Sequence, residues 1–412
     1  MGSFFKRIIT NPILKSRDYR RVLGSSFFHS MGMTGEQVII GFLIFQQTGS
    51  TAWVGVSLAV YFGPMLLFGV PAGALADWVD RKRLLPIIEG GIALLLGVFG
   101  FLLYIGDVEL WALLFLTFSS GSLRAIYNPV RSSYVYDLAG REGAVASLGL
   151  VNLCSRSGQL LGALMSGWVL SGMGGGMGFL VLSGGHLIAF FGLLGLKTAG
   201  RSIEAVPITL GQNLKEYWQE VCQNHRLLIL IGLTSAVEIL GFSFATALPE
   251  IATAKLGVGA QGLGHMHSAR AVGGILAGVL FAGALSLKNK GLVYLCAAGG
   301  FGASLVALGV APYFWLVLLA IAVVAVMAVA SDVLSQSMMQ MVVPDRLRGR
   351  AMGAWVFAVG VAPIGHLEVG FLAESLGADM ALIINGLLLV GITLCIAVMA
   401  PILSKADKME RP

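Results

Sequence analysis

Charge is scarce in this chain. Only 12% of its 412 residues are Asp, Glu, Lys or Arg, about half the share found in ordinary globular domains. A soluble protein of this length could not clothe its surface with so little charge. Cysteine is scarcer still. Cys154, Cys222, Cys296 and Cys395 stand far apart, with no C-x-x-C pair and no histidine at ligand spacing. That excludes a disulfide framework and leaves no metal expected. Also missing is any G-x-x-x-x-G-K-[ST] run, so the chain has no ATP site of its own and nothing points to an ATPase subunit. With no nucleophile elbow and no H-E-x-x-H helix, there is no sign of an enzyme or of a resident cofactor. The N-terminus shows no cleavable signal, because its basic residues lead into a long uninterrupted apolar stretch. Lys6 stands where myristoylation needs Ser or Thr.

What is abundant is apolar surface. Hydrophobic residues make up 57% of the chain and glycine contributes 56 residues, with a mean hydropathy of +0.85. Lipid must therefore be the main solvent, and glycine supplies the close helix contacts that membrane bundles need. A crossing helix takes about 20 residues. By that rule there are twelve spans, at about 20–46, 52–76, 84–105, 110–134, 144–170, 177–197, 226–250, 261–286, 291–310, 314–341, 351–374 and 380–403. The expected fold is an all-α membrane protein.

Basic residues then set the orientation. Of 27 Lys and Arg, 23 fall in the termini and even-numbered loops, and the opposite loops hold only Lys255. This asymmetry predicts cytoplasmic termini in a plasma membrane, the inner membrane of a bacterium. It also accounts for the net charge of +6 as a topology signal, so no nucleic-acid partner is expected. One long polar interruption divides the chain into residues 1–198, a linker at 199–225 and residues 226–412. Leu210, Leu214, Tyr217, Trp218 and Val221 recur at helical spacing within the linker, as in a helix lying on the membrane surface. The halves echo each other: Glu36 answers Glu238, and Arg124 answers Asp332, at offsets of 202 and 208 residues. Repeated six-helix halves are a feature of secondary transporters.

Between spans 2 and 3 the sequence runs Gly73-Ala74-Leu75-Ala76-Asp77-Trp78-Val79-Asp80-Arg81-Lys82-Arg83-Leu84-Leu85. This resembles the major facilitator signature G-x-L-a-D-r-x-G-r-k-x-x-l, with Trp78 in place of its first basic residue and Asp80 in place of its second glycine. Asp80–Arg83, Asn128-Pro129-Val130-Arg131 and Val343–Arg350 are similar to the drug and siderophore exporters of that superfamily, the branch of macrolide and enterobactin efflux. The resemblance implies twelve helices in two pseudo-symmetric bundles and alternating access. It further implies a conformational gate of Gly73, Asp77, Arg81, Lys82, Asp137 and Arg350. There Asp77 would meet the N-terminal end of helix 11, which starts just after Arg350, and Arg81 would pair with Asp137. The second-half counterpart, 283–288, lacks the aspartate. Of the branch's antiport motif in span 5, Cys154, Gly158, Gln159, Gly162 and Ala163 occupy the places. Two glycines survive and the proline is absent.

Ionisable residues at membrane depth are costly and point to function. This chain carries Glu36, Arg124, Arg156, Glu238, Arg270, Asp332, His366 and Glu368 within its spans. Glu36, Arg124, Glu238 and Asp332 fall on spans 1, 4, 7 and 10, which line the cavity in the family resembled. A carboxylate in a dry cavity can load and release a proton as access changes sides. Glu36, Glu238 and Asp332 are therefore the proton-coupling candidates, and a proton gradient the expected energy source. Structural pairing with Arg124 or Arg156 is the alternative for the two glutamates. Arg124, Arg156 and Phe242 are substrate-binding candidates, while His29 and His186 read as interior residues. The expectation is a monomeric exporter of an amphipathic small organic molecule, by proton antiport across a lipid bilayer. A lipid flippase, an importer or a transporter-like receptor on the same scaffold remain alternatives.

Overall fold

The computed structural model describes residues 12–200, 224–281, 289–342 and 355–399; at 12, 69–78, 141, 142, 145 and 281 it describes the backbone alone. The described residues are helical and contain no strand. A 3-10 turn, Pro12–Lys15, leads into α1 (Arg17–Thr48), α2 (Thr51–Trp78), α3 (Arg81–Ile105) and the very long α4 (Leu110–Leu194). Next come α5 (His225–Lys255), α6 (Gly259–Phe281), α7 (Lys290–Val310), α8 (Phe314–Met341), α9 (Trp355–Leu376) and α10 (Ala378–Met399). At 1.5 Å per residue, α4 could not lie straight across a bilayer. Non-helical backbone at Gly140 and Gly174, with φ of 66° and 82°, breaks it into three legs. Only glycine takes such angles without penalty.

Among the described residues, nine segments are long and apolar enough to span. One of them, Ala146–Leu194, contains the second and third legs of α4 and counts twice. The other two helices needed for twelve, α1 and α6, fall short because they turn polar side chains inward. On α1 these are Ser25, Ser26, His29, Ser30, Thr34 and Glu36; on α6 they are His267 and Ser268. Conversely, Leu94, Trp111, Phe115, Trp168, Phe191 and Val398 are largely exposed. Apolar outside and polar within is the arrangement lipid selects. The linker helix expected at 199–225, Arg350 and the 283–288 counterpart lie outside the described residues, apart from the linker's ends.

The chain forms two compact units. The first comprises Met1–Gly49, Val60–Ala205 and Gly257–Ala271; the second Ser50–Ala59, Val206–Leu256 and Val272–Pro412. Each thus takes in the head of one helix, α6 in the first and α2 in the second.

Two local features position the first unit's interior. Ser16 caps α1 by accepting from the Tyr19 N–H at 3.3 Å, and Gly49 ends it in the left-handed region. The second leg of α4 then crosses α1 almost backbone to backbone. A Cβ on Gly158 would strike the Phe27 carbonyl, one on Gly162 the Met31 carbonyl, and the Cys154 thiol donates to the Leu23 carbonyl at 3.4 Å. Three residues spaced by four thus face three residues spaced by four, the small-residue crossing of membrane helices. Against the same leg lies the head of α6, with Gly264 on Gly167.

In the second unit, α5 is irregular. π turns at Val237–Gly241 and Ile251–Lys255 enclose a 3-10 stretch, Phe242–Ala247. Gly365 of α9 packs on Ile239, and Gly302 of α7 on Gly386 of α10. The head of α2 lies on α9, where Gly55 meets the His366 carbonyl and Gly370. Ser50 donates to Glu374 at 2.8 Å and Thr51 to Glu250.

Candidate functional site

Within the first unit, four stretches of helix deliver charged and polar groups to one fully buried point. Arg124, on the first leg of α4, donates from Nη2 to Glu36 Oε2 on α1 at 2.7 Å and from Nε at 3.2 Å. Ser120, one turn earlier, donates to the other Glu36 oxygen. Glu36 is 0% and Arg124 4% exposed, so the pair is held entirely away from water.

Behind this pair stands a second carboxylate. Glu89 on α3 accepts from two imidazoles, one on each oxygen: His29 Nδ1 at 2.9 Å and His186 Nδ1 at 2.6 Å. His186 comes from the third leg of α4 and reaches α1 at Gly32, where any Cβ would collide with its ring. Tyr127 stacks flat on His29 with ring centres 3.5 Å apart. Arg124 also faces both imidazoles, with Nη1 3.3 Å from His29 Nε2 and Nη2 3.4 Å from His186 Nε2. A guanidinium can only donate, so both Nε2 atoms accept and both Nδ1 atoms carry the hydrogen. The donor atoms of His29, Glu89 and His186 lie within 4.8 Å of one another, a spacing that also suits metals. In these tautomers, however, no imidazole lone pair is left for a metal, and a cation there would be repelled by the guanidinium.

The acids of the second unit are differently placed. Glu238 is buried on the first π turn of α5, and Asp332 is half-buried on α8. The nearby Tyr294 phenol, fully buried, shares a 3.0 Å hydrogen bond with Thr234. Phe242 meets Phe301 edge to face at 5.4 Å, a packing role beside any contact with substrate. Arg156 donates to Gln159 at 3.2 Å. His366 shares a hydrogen with Thr246 at 2.9 Å, and Asn385 donates to Glu368 at 2.9 Å.

At the expected cytoplasmic gate, Arg81 donates to Asp137 at 2.7 Å. Gly73 and Asp77 lie on α2 where only backbone is described. The Asp80 that stands for the signature glycine has a local use. Its carboxylate caps α3, accepting from Lys82 N at 3.0 Å, and holds Gly200 N at 3.1 Å. Around it the chain leaving α4 is fastened down. Arg81 N donates to the Gly200 carbonyl at 3.2 Å, Tyr134 to the Thr198 carbonyl at 2.8 Å and Lys82 to the Lys197 carbonyl at 3.3 Å. Asp18 accepts from Lys197 N, Thr198 N and the Thr198 hydroxyl at 3.0, 2.8 and 2.7 Å. Burial would raise its pKa, but these donors and Arg21 outweigh that and hold the carboxyl below the usual aspartate range.

Sequence reasoning missed Glu89 and gave His29 and His186 no chemical part. The signal for Glu89 was present, as a carboxylate inside the third span. For the histidines there was none, since a neutral imidazole is ordinary in an apolar interior.

Twelve spans with charges gathered inside the bundle define a polytopic membrane protein. The chain belongs to the transmembrane secretion effector family of the major facilitator superfamily, whose family model matches residues 11–411. The enterobactin exporter EntS of Shigella boydii serotype 18 is 24% identical over 376 residues, covering 87% of each chain. Among solved structures, the nucleoside transporter NupG superposes with a TM-score of 0.78 at 14% identity, covering 93% of this chain and 99% of its own. A bacterial homologue of the human lysosomal transporter Spinster gives 0.74 at 13% identity, covering 97% and 100%. At such identities the structural likeness speaks for the fold alone.

Proposed function

We propose that this protein exports an amphipathic small organic molecule, of siderophore or drug type, from the bacterial cytoplasm by alternating access in exchange for protons. Export and the substrate class are supported by the family description and by the enterobactin exporter relatives. Glu36 is taken up in a buried pair with Arg124, the structural alternative to carrying the proton itself, and coupling is proposed through the buried charges around that pair. An ion pair withdrawn from water is held by geometry and not by solvation, so adding a proton to its surroundings changes which contacts the arginine prefers. Glu238 and Asp332 are the corresponding candidates of the second half. Asp77 and Arg81 would latch the cytoplasmic side, with both termini in the cytoplasm. Neither a nucleotide nor a second subunit enters this cycle, and a monomer suffices for it.

The test is flux into inside-out membrane vesicles against a compound panel that includes enterobactin, with and without an acid lumen. Accumulation driven by the acid lumen is the expected result, and Glu238→Gln should abolish that drive in a folded protein. Flux indifferent to the gradient would end the antiport reading, and gradient-driven movement out of the vesicles would end the export reading.

A further inference from the structure

We propose that His29, His186 and Glu89 form a one-proton store whose loading detaches Arg124 from the imidazole that takes the proton and shifts it toward Glu36. In its transport role the store rests on the antiport reading above; as a proton site it stands on its own geometry.

Charge comes first. With both imidazoles neutral, as their contacts require, the site encloses two carboxylates, Glu36 and Glu89, and one guanidinium, Arg124. Among the groups in direct contact the net charge is −1, in a place 0–4% exposed; the next cation, Arg131, lies beyond the Tyr127 ring and makes no direct contact with either carboxylate. An unbalanced buried charge is costly, and one added proton removes the imbalance.

The landing place is set by the hydrogen bonds. Both Nδ1 atoms already carry hydrogen toward Glu89, whose two oxygens each accept one. Imidazole nitrogen is intrinsically more basic than a carboxylate, and the lone pairs not already carrying hydrogen are those of the two Nε2 atoms. Those are the atoms that Arg124 touches. A proton arriving from water bonds to one Nε2, turning that imidazole into a cation that donates from both nitrogens. Donor then faces donor at that nitrogen, and Arg124 must withdraw from it.

Distances show that it can. The contact it would give up is 3.3 Å long if His29 takes the proton and 3.4 Å if His186 does. Those it keeps to Glu36 are 2.7 and 3.2 Å. The guanidinium gives up one weak contact and keeps the strong ones. When the proton leaves to water, the Nε2 lone pair reappears and Arg124 returns. Because His29 and Glu36 lie two turns apart on α1, loading is felt along α1 and across to both outer legs of α4.

Other groups facing the cluster are fixed in charge or too weakly acidic to compete. The Tyr127 phenol shares a 3.3 Å hydrogen bond with Ser25, which reaches Glu89 at 3.5 Å. Tyr61 lies beside Arg124 and Glu36, and Arg131 sits over the Tyr127 ring, 5.6 Å from its centre.

The experiment uses the full chain in lipid nanodiscs with labelled histidine, read by nitrogen NMR across pH 5–9. The six histidines are assigned with His29→Gln and His186→Gln. The expected result is a single protonation shared between His29 and His186, with the Arg124 side-chain resonances shifting in the same step. In Glu89→Gln that step should move to lower pH or vanish. Imidazoles that stay neutral throughout would overturn the proposal, as would two independent steps or shifts produced only by added Zn2+. The count of protonation steps in the wild type needs no variant, and should one histidine variant fail to fold the other still assigns the shared step. Enterobactin flux separates the two ideas. Gradient-driven flux that persists in folded Glu89→Gln leaves antiport standing and removes the store from it. Wild-type flux that ignores the gradient removes antiport, while the titration still decides whether the store exists.

Discussion

At the scale of single residues, the first unit is held by charges that have no access to water. Replacing Arg124 with Gln leaves Glu36 and Glu89 uncompensated, and the expected loss is about 3–5 kcal/mol, the cost of breaking a buried pair. Thermal unfolding in detergent should show it, with Glu36→Gln in the same chain recovering part of the loss. Full stability in Arg124→Gln alone would mean that the pair is not held away from solvent. Asp18 makes a second case, outside the membrane. Its carboxyl is held below the ordinary range by the donors of Lys197 and Thr198. The stabilisation is therefore complete above the ordinary aspartate pKa and is lost as pH falls through the depressed one. Asp18→Ala should cost roughly 1–3 kcal/mol at pH 7 by stranding those donors. Melting curves of wild type and variant should begin to approach each other below about pH 4 and draw together only as pH falls past the depressed value. Glu36 and Arg124 were legible in the sequence because a charge inside an apolar span stands out. His29 and His186 were not, because nothing in a linear sequence shows that they converge on Glu89.

At the scale of helices, glycine decides which pairs can cross. Gly158 and Gly162 survive from a motif otherwise lost, and both press on carbonyls of α1. Backbone cannot yield as a side chain can, so Gly162→Ala should reduce the yield of monodisperse protein on gel filtration. Gly149→Ala, with open space around it, should match wild type or exceed it, since alanine favours helix. Equal behaviour of the two variants would refute the close crossing. Asp80 carries a related lesson. As a departure from the family signature it was legible in the sequence, but its use was not. Capping α3 while holding Gly200 requires the chain end of α4 to come back beside α3, which is a matter of tertiary geometry.

At the scale of the whole molecule, the prediction concerns the gate. Asp77→Asn should slow gradient-driven flux several-fold while equilibrium binding of enterobactin stays near the wild-type value. Binding lost along with flux would place Asp77 at a substrate site. The orientation has its own check. With the other cysteines replaced, Cys222 should react with a membrane-impermeant maleimide only from the cytoplasmic side.

The sequence by itself determined the solvent, the number of spans and the family. These follow from apolar run length, from the distribution of basic residues and from a short charged signature, all of which are local or additive along the chain. Only the tertiary structure decided which buried charges are partners. Glu36, Glu89, Arg124, His29 and His186 are spread over nearly 160 residues, and their meeting depends on glycines that let α1 and α4 approach. Spacing along one helix cannot report which of several neighbouring helices a side chain meets. For that reason the first unit's charge cluster, with its single missing proton, became visible only once the helices were packed.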